Sequence, residues 1–462
     1  MRILATINSG AEKMKTATHQ IIRFIMSMLL FLTLEFLPHT GWTQTDEQTR
    51  FSSLTEALNH KNEVFDLDLS YQNLSKVDEH ITNLTNLKFL NLNHNKLSTW
   101  PADFTNLKQL VSLFASNNLF QSFPDSLSQL TELRYLHLDY NQIETIPTEL
   151  ENLSKLNDLN LNHNQLSSVP KEIGSLSALK QLDLSYNKLT STAAELSNLT
   201  KLQQLDLSSN DLSELNFDLK PLQFLQILNL NHNKLTQAPS QIDSLENLKE
   251  VYLAANELNA FPIELTALPG LETIDLSQNQ IKTLPSKIMK LENLRVLNLQ
   301  DNKLESLPRE VGKLKKLQEL KLEGNYFSDE QQQEIKKMFP DLHIDFYRTY
   351  TSLENAEWDN AEKVGVLYLN HNKIRVIPKA VEKMTNLVEL WLAGNQITSV
   401  PPFIGSLKRL KKIDLSDNQI STLPVEIKNL TALKLLDLTN NNFSTAEQEK
   451  IRKLLPKVEV KF

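Results

Sequence analysis

An asparagine recurs every 23 residues along most of this 462-residue chain. The step is kept from Asn95 to Asn325, is interrupted once, resumes at Asn372 and continues to Asn441; Gln72 holds the same phase one step earlier. A fixed period of this length is typical of a small unit stacked many times. Such a chain exposes an extended surface rather than a set of globular domains built around pockets. The recurrent residues, here called the ladder asparagines, are Asn95, Asn118, Asn141, Asn164, Asn187, Asn210, Asn233, Asn256, Asn279, Asn302, Asn325, Asn372, Asn395, Asn418 and Asn441.

The residues before each ladder asparagine alternate between apolar and polar. In residues 90–107, Leu90 and Leu92 flank the polar Asn91, and Pro101 follows the ladder residue Asn95 by six positions. The alternation predicts a short strand with one buried face, and proline suits the start of a turn or short helix. Stacking supplies the core that one unit lacks, and the asparagine amide, which donates and accepts, is predicted to link backbone groups of adjacent turns.

The unit L-x-x-L-x-L-x-x-N-x-L-x-x-L-P-x-x-I-x-x-L resembles the leucine-rich repeat family over residues 64–462. Its tail, LPSKI at 284–288 and LPREV at 307–311, is similar to the 23-residue subclass found in bacterial repeat proteins and in Ras-binding scaffolds. The resemblance implies an α/β fold, namely a curved solenoid with parallel strands on the concave face, short helical or extended segments on the convex face, and helical caps. It implies protein–protein recognition and no reaction.

Composition narrows the function classes. The net charge of −8 gives no support to nucleic-acid binding. The absence of cysteine excludes disulfides, thiolate metal sites and a catalytic thiol. Four histidines share one repeat position, but those in successive triplets would stand about 14 Å apart by strand spacing, which is too far for a shared metal. We therefore expect no enzyme activity, cofactor or metal; these histidines are His94, His163, His232 and His371.

The N-terminal segment differs from the repeats. Lys15 and Arg23 precede an apolar run at 24–34, and a polar stretch begins at Thr43. This order is typical of a secretory signal peptide, so residues 1–43 are predicted to direct secretion to the periplasm or cell surface of a bacterium. An uncleaved membrane anchor, or a cytoplasmic protein with a mistaken start, is the alternative.

A longer period is superimposed on the first. LNLNHNKL at 90–97 returns in similar form at 159–166, 228–235, 297–304 and 367–374, close to every 69 residues. The gap before Asn372 holds a second duplication, because residues 325–346 match the C-terminal residues 441–462. We interpret both as caps with a helix and a final strand, which predicts one capped block at 51–346 and another at 347–462. The blocks either stack continuously, with Ile344 and Phe346 on strand positions, or are hinged near 347–351.

The residue four positions before each ladder asparagine, here called the face residue, is predicted to point out of the concave sheet. Most face residues are Asp or Asn, so large aromatic exceptions are the candidate binding residues. Tyr368 with Trp391 forms one predicted cluster, and a second lies toward the N-terminus. The candidates at the face position are Tyr368, Trp391, Phe114, His137 and Tyr252, and two further candidates, Phe89 and Tyr135, stand two residues before the face position of their strands.

Three functions remain open at this stage. The first is a non-catalytic scaffold that binds a protein partner on its concave sheet. The second is an intracellular scaffold for a small GTPase or similar signalling protein. The third is a carbohydrate or cell-envelope binder that uses aromatic ring faces.

Overall fold

The computed structural model describes residues 50–101, 104–124, 126–353, 361 and 364–462. The predicted signal peptide at 1–43 therefore lies outside the described residues, as does most of the predicted second N-terminal cap at 352–364. The chain divides into two compact units. The first reaches Asn210 and includes Asn216–Leu222, and the second comprises Asp211–Leu215 and Gln223–Phe462.

In the first unit, eight parallel strands pair in chain order, one strand for each repeat. The register between neighbours is a constant 23 residues after the second strand, so equivalent residues of successive repeats stand side by side. These strands are β1 (Arg50–Phe51), β2 (Asp66–Asp68), β3 (Phe89–Asn91), β4 (Ser112–Phe114), β5 (Tyr135–His137), β6 (Asp158–Asn160), β7 (Gln181–Asp183) and β8 (Gln204–Asp206).

In the second unit the strands belong to two sheets. One run contains β9 (Ile227–Asn229), β10 (Glu250–Tyr252), β11 (Thr273–Asp275), β12 (Val296–Asn298) and β13 (Glu319–Lys321). The other contains β14 (Arg348–Tyr350), β15 (Val364–Tyr368), β16 (Glu389–Trp391), β17 (Lys412–Asp414), β18 (Leu435–Asp437) and β19 (Glu459–Lys461). All of these pairings are parallel and follow chain order.

Leucines of the repeat pattern form the core, as the sequence predicts. Leu90, Leu92 and Leu97 are fully buried, and the same positions are buried in the following repeats. Most repeats return through a short 3₁₀ helix, often preceded by the repeat's proline in an extended conformation, which suits a residue with a fixed φ. These helices are Glu79–Asn83, Leu127–Gln129, Thr148–Asn152, Lys171–Ser175, Ala194–Asn198, Ile242–Ser244, Ile263–Ala267, Ser286–Lys290, Arg309–Lys313, Lys379–Lys383, Pro402–Ser406 and Val425–Asn429.

The predicted helical caps are present. A short helix, α1 (Leu54–Asn59), lies near the start of the first unit, while α2 (Asp329–Met338) and α3 (Thr445–Leu454) lie within the two matching segments 325–346 and 441–462. Each begins after a serine whose hydroxyl accepts a backbone N–H of the first turn, which satisfies a donor that the helix leaves unpaired. The sequence duplication thus corresponds to a duplicated helix.

The final strand of the internal cap is not where the sequence predicts it. Ile344 and Phe346 are buried but form no strand, and β14 begins only at Arg348, in the second sheet. The matching C-terminal segment does form its strand, β19. β14 is therefore the first strand of the second sheet, as β1 is of the first, and is not the final strand of the internal cap.

Contacts across this sheet break lie within the second unit. The Asp329 carboxylate at the start of α2 pairs with Lys411 and with Lys434, beside the starts of β17 and β18. The Arg348 guanidinium pairs with Asp301, and both side chains are largely buried. The two Asp329 pairs tie α2 to the repeats that follow it, and the Arg348–Asp301 pair joins β14 to the repeat after β12.

Candidate partner-binding surface

The ladder asparagines hold the turns together through buried side-chain hydrogen bonds. Asn118 is representative: its Nδ2 donates to the carbonyls of Leu92 (2.9 Å) and Ala115 (3.2 Å), and its Oδ1 accepts from Leu97 N (3.0 Å). The same three bonds recur at Asn141, Asn256 and Asn395. In each, Nδ2 donates to the carbonyls 26 and 3 residues earlier, and Oδ1 accepts from the backbone N–H 21 residues earlier. Each amide therefore satisfies backbone groups of two successive repeats.

Asn372 keeps the 23-residue spacing, but its side chain does not link two successive repeats. Its side chain is exposed and donates to the carbonyl of Asn370 (3.1 Å), while its backbone N donates to Asn395 Oδ1 (3.0 Å). Gln72 occupies the same place at the start of the first unit, where its backbone N donates to Asn95 Oδ1. Including Asn372 among the linking asparagines was therefore wrong, because this residue starts a new ladder after the sheet break.

Most Asp and Asn face residues terminate their strand. Asp414 Oδ1 accepts from the backbone N (3.0 Å) and the hydroxyl (2.6 Å) of Ser416, two residues later. This short-range bond is an Asx turn. It recurs at Asp68, Asn91, Asn160, Asp183, Asp206, Asn229, Asp275, Asn298 and Asp437. These face residues cap strands in addition to solvating the surface.

The predicted aromatic cluster of the first unit is assembled, but part of it is buried. Phe89 and Phe114 meet edge to face, with centroids 5.2 Å apart, and each is only 7% exposed. His137 lies 4.7 Å from Phe114, its Nε2 is 3.2 Å from Asp158 Oδ2, and it is partly exposed, as is Tyr135. The expected exposure of Phe89 and Phe114 was therefore wrong, because neighbouring strands bring their rings into mutual contact.

Tyr252 stands apart from the other aromatic candidates. It lies on β10, is partly buried, and its hydroxyl donates to Glu250 Oε2 (2.5 Å). Burial, followed by the neighbouring carboxylate, raises the pKa of Tyr252 above its ordinary value. The phenol stays protonated, and its single O–H is engaged by Glu250, which fixes the orientation of the hydroxyl.

Tyr368 and Trp391 are brought together as predicted. They lie on the paired strands β15 and β16, stacked with centroids 5.1 Å apart and planes 19° apart. From β17, on the other side, Lys412 Nζ lies 3.5 Å from the centre of the Trp391 ring, and the indole N–H donates to Glu389 Oε2 (3.0 Å). The indole is therefore held in one orientation by a ring, a cation and a carboxylate. We call Tyr368, Trp391, Lys412 and Glu389 the tryptophan platform.

The sequence interpretation missed a second ring stack. The residue directly before each ladder asparagine is commonly left-handed (φ near +50°), and in the first unit Tyr140, His163 and Tyr186 occupy this position in consecutive repeats. Their rings stack at 3.9 Å and 4.0 Å, although Tyr140 is 47% and Tyr186 52% exposed. Burial lowers the pKa of His163, against the opposing effect of Asp139. The sequence did contain a signal for this stack. Aromatic residues recur at a left-handed position that is elsewhere occupied by residues such as Asn117, Gly324 and Gly394.

In the first unit, the Asp183 carboxyl has a raised pKa because it is buried next to Asp206. Asp183 is buried beside Asp206, and burial, followed by the charge of Asp206, raises the pKa of Asp183 to about 7. Hydrogen bonds from Asn162 and Ser185 act in the opposite direction. The two like charges are thus relieved by protonation near neutral pH.

Within the described residues, no three His, Asp or Glu side chains converge in a way that could hold a metal ion. Among the helices of this part of the chain, none has the length and apolar character needed to span a membrane. A cleft of about 460 Å³ lies in the second unit at the sheet break, lined among others by Asp301, Tyr326, Arg348 and Arg409.

Models of leucine-rich repeats match this chain in several places. A leucine-rich repeat region model matches residues 121–217, a second repeat model matches 269–327 and 385–443, and a third matches 86–107. No curated protein matches the chain.

Solved structures include proteins similar to most of this chain. A leucine-rich repeat protein of Leptospira interrogans is 32% identical over 90% of this chain and 100% of its own, with a TM-score of 0.56. The plant peptide hormone receptor RGFR1 in complex with RGF2 is 27% identical, covering 82% of this chain and 64% of its own, with a TM-score of 0.56. The ectodomain of the Arabidopsis thaliana receptor kinase GASSHO1/SCHENGEN3, in complex with CASPARIAN STRIP INTEGRITY FACTOR 2, is 27% identical over 87% and 53%, with a TM-score of 0.53. The repeat pattern, the parallel strands of each unit and these likenesses together place the chain in the leucine-rich repeat family.

Proposed function

We propose that the protein is a non-catalytic scaffold that binds a protein or peptide partner through the outward side chains of its parallel strands. The observation that carries this proposal is the tryptophan platform. Its two aromatic rings are partly exposed on adjacent strands, with Lys412 on a third, and they are held by packing and a hydrogen bond before any partner arrives. Groups that are already ordered lose little conformational entropy on binding, and Trp and Tyr are favoured at the energetic centre of interfaces.

The likenesses to solved structures support a polypeptide partner. Two of the plant receptors that the chain resembles were solved in complex with peptide or protein ligands. The geometry of the platform also favours a polypeptide over a sugar. Trp391 is flanked by Tyr368 on one side and Lys412 on the other, so neither ring face is open for a sugar ring to stack on, whereas the indole edge and its charged neighbours suit peptide groups.

The test compares binding by three forms of the full chain. Partners are captured from the native host with the wild type, and their affinities are then measured for the wild type and for the Trp391→Ala/Tyr368→Ala double variant. Val425→Ser is the matched control, because Val425 is 51% exposed in a 3₁₀ helix of the same sheet region, away from the strands. We expect the double variant to lose at least about tenfold in affinity and the control to bind as the wild type.

Equal affinities for all three forms, with unfolding curves that overlap, would remove the platform as the binding site. A glycan array run on the wild type separates the carbohydrate alternative, and strong glycan binding without polypeptide binding would favour that alternative.

We further propose that the protein is exported, on the basis of the charged start, apolar run and polar exit of residues 1–43. N-terminal sequencing of the mature protein should find a start near Gln44. An intact N-terminus in a cytoplasmic fraction would instead favour the intracellular scaffold for a small GTPase.

A further inference from the structure

The cleft at the sheet break of the second unit is positively charged, although the chain as a whole carries a net charge of −8. Its lining includes Lys303, Arg348 and Arg409. The one carboxylate among its lining residues, Asp301, is already paired with Arg348. Three cationic groups against one carboxylate leave an excess of two positive charges, and such a lining favours a negatively charged occupant.

The cationic groups of the cleft come from both sheets of the second unit. Lys303 follows β12, Arg348 is the first residue of β14, and Arg409 precedes β17. Arg409 Nη1 donates to Asn386 Oδ1 (2.9 Å), and Lys303 Nζ donates to Gln280 Oε1 (3.1 Å). Both acceptors are neutral amides, so these hydrogen bonds orient the two cations and leave their charge uncompensated.

The terminal copy of the cap shows which cleft residues the cap itself requires. The correspondence between 325–346 and 441–462 extends to the repeat before each cap, so that Asp301 corresponds to Asp417. The carboxylate is thus common to both copies, whereas three other cleft positions carry an amide side chain in the terminal copy. These are Gln419 for Lys303, Asn440 for Gly324 and Asn442 for Tyr326. The lysine, the glycine and the tyrosine are therefore not needed to build a cap.

Gly324 leaves a buried carboxylate oxygen unsatisfied. In the terminal cap, Asn440 Nδ2 donates to Asp417 Oδ1 (2.8 Å). In the internal cap, Asp301 Oδ1 has no hydrogen-bond partner among the described residues, although the side chain is only 4% exposed. An unsatisfied buried oxygen destabilises a fold, and asparagine tolerates the left-handed backbone that Gly324 and Asn440 share. The glycine therefore keeps an amide side chain out of the cleft at a cost in stability.

We propose that this cleft is a second binding site, which takes a small organic anion: a carboxylate or a phosphate ester that carries a ring. Guanidinium and ammonium groups bind both kinds of anion. The volume of about 460 Å³ suits a small molecule, and the ring of Tyr326, 51% exposed, offers a surface for the apolar part of the ligand. No lining residue belongs to the tryptophan platform, so the site does not depend on the proposed function.

The ligand class is tested by calorimetric titration of the full chain with three probes of similar size. Benzoate and phenyl phosphate carry a ring and an anionic group, and benzamide is their neutral counterpart. We expect at least one of the anions to bind with a Kd of about 1 mM or tighter and benzamide to bind at least about tenfold more weakly. The tighter of the two anions identifies the ligand as a carboxylate or as a phosphate ester. A bound anion should also raise the melting temperature, because it binds only the folded state.

The site is located with residues taken from the terminal cap. Lys303→Gln/Tyr326→Asn should weaken the bound anion by at least about tenfold, and Gly324→Asn should abolish binding while it raises the melting temperature of the free protein. Lys188→Gln is the matched control, because Lys188 occupies the repeat position of Lys303 in the first unit and its Nζ likewise donates to a glutamine, Gln165 Oε1 (3.2 Å). This control should bind the anion as the wild type does.

Three results would each overturn the proposal. The first is that neither anion binds the wild type, and the second is that benzamide binds as tightly as the anions. The third is undiminished anion binding by Lys303→Gln/Tyr326→Asn with an unfolding curve that overlaps that of the wild type. Because none of these titrations involves the partner, the cleft can fail while the tryptophan platform stands, and the converse also holds.

Discussion

At the scale of single residues, two positions of each repeat have different roles: one links successive repeats, and the other presents a side chain on the strand surface. With the exception of Asn372, the ladder asparagines bond to backbone groups of successive repeats, as the buried Asn395 does. The face residues stand on the other side of the strand, where an aromatic side chain such as Trp391 is partly exposed. Stability and recognition therefore depend on different side chains and can be measured separately.

Asn395 and Asn372 occupy the same position in successive repeats and make a matched pair for testing the ladder. Asn395→Ala leaves the carbonyls of Leu369 and Leu392 and the N–H of Ile374 without their partner. We expect a loss of about 2–4 kcal/mol in the free energy of unfolding, measured by urea denaturation. Asn372→Ala removes an exposed side chain and should cost less than about 1 kcal/mol. Similar losses for the two variants would contradict the ladder assignment.

Asp183 predicts a pH dependence of stability. Its pKa rises from an ordinary 3.8 to about 7 on folding, so the folded state binds more protons between these values. The stability contributed by the protonated carboxyl is present at the acid end of this window and is lost as the pH rises toward 7. Asp183→Asn should therefore stabilise the protein at pH 8 and give little benefit near pH 4, as measured by urea midpoints. A benefit that is the same at both pH values would contradict this titration.

At the scale of elements, the sequence predicts the strands and helices that follow from its periodicity. It does not predict burial that depends on contacts with a neighbouring strand. Leucine alternation located the strands, and the duplicated segment located α2 and α3. Periodicity did not decide between a continuous stack and a break near 347–351, because Ile344 and Phe346 keep the apolar spacing of a strand and are buried without forming one. The burial of Phe114 was missed for a similar reason, since it depends on a ring from the adjacent strand.

The internal cap offers an element-scale prediction. Asp329, the first residue of α2, pairs with Lys411 and Lys434, whereas the equivalent Thr445 of α3 lies in the terminal cap. Because these groups are partly exposed, Asp329→Ala should cost no more than about 1 kcal/mol in overall stability. It should nevertheless speed hydrogen exchange in α2, because the contacts that hold its N-terminus are lost.

Thr445→Ala is the control for this change and should leave the exchange of α2 unaltered. Unchanged exchange in the Asp329 variant would mean that apolar packing alone, chiefly of the buried Ile335, holds the internal cap.

At the scale of the whole molecule, the repeats of each unit form a surface of outward-facing strand residues. Repeats supply parallel strands in each unit, the ladder keeps the turns in register, and selected face residues interrupt an otherwise uniform row of Asp and Asn. Within each unit, equivalent residues of successive repeats stand side by side, which suits contact with a partner over several repeats. We therefore propose that a polypeptide partner docks on the strand side, at the tryptophan platform.

Site-specific photo-crosslinking tests this claim most directly. A photoreactive phenylalanine analogue is placed at Tyr368, on the strand side, or at Val425, in a 3₁₀ helix, and each form is irradiated in an extract of the native host. We expect a discrete polypeptide adduct from position 368 that excess wild-type protein suppresses, and none from position 425. An adduct from position 425 alone would contradict it, as would the absence of any adduct at position 368.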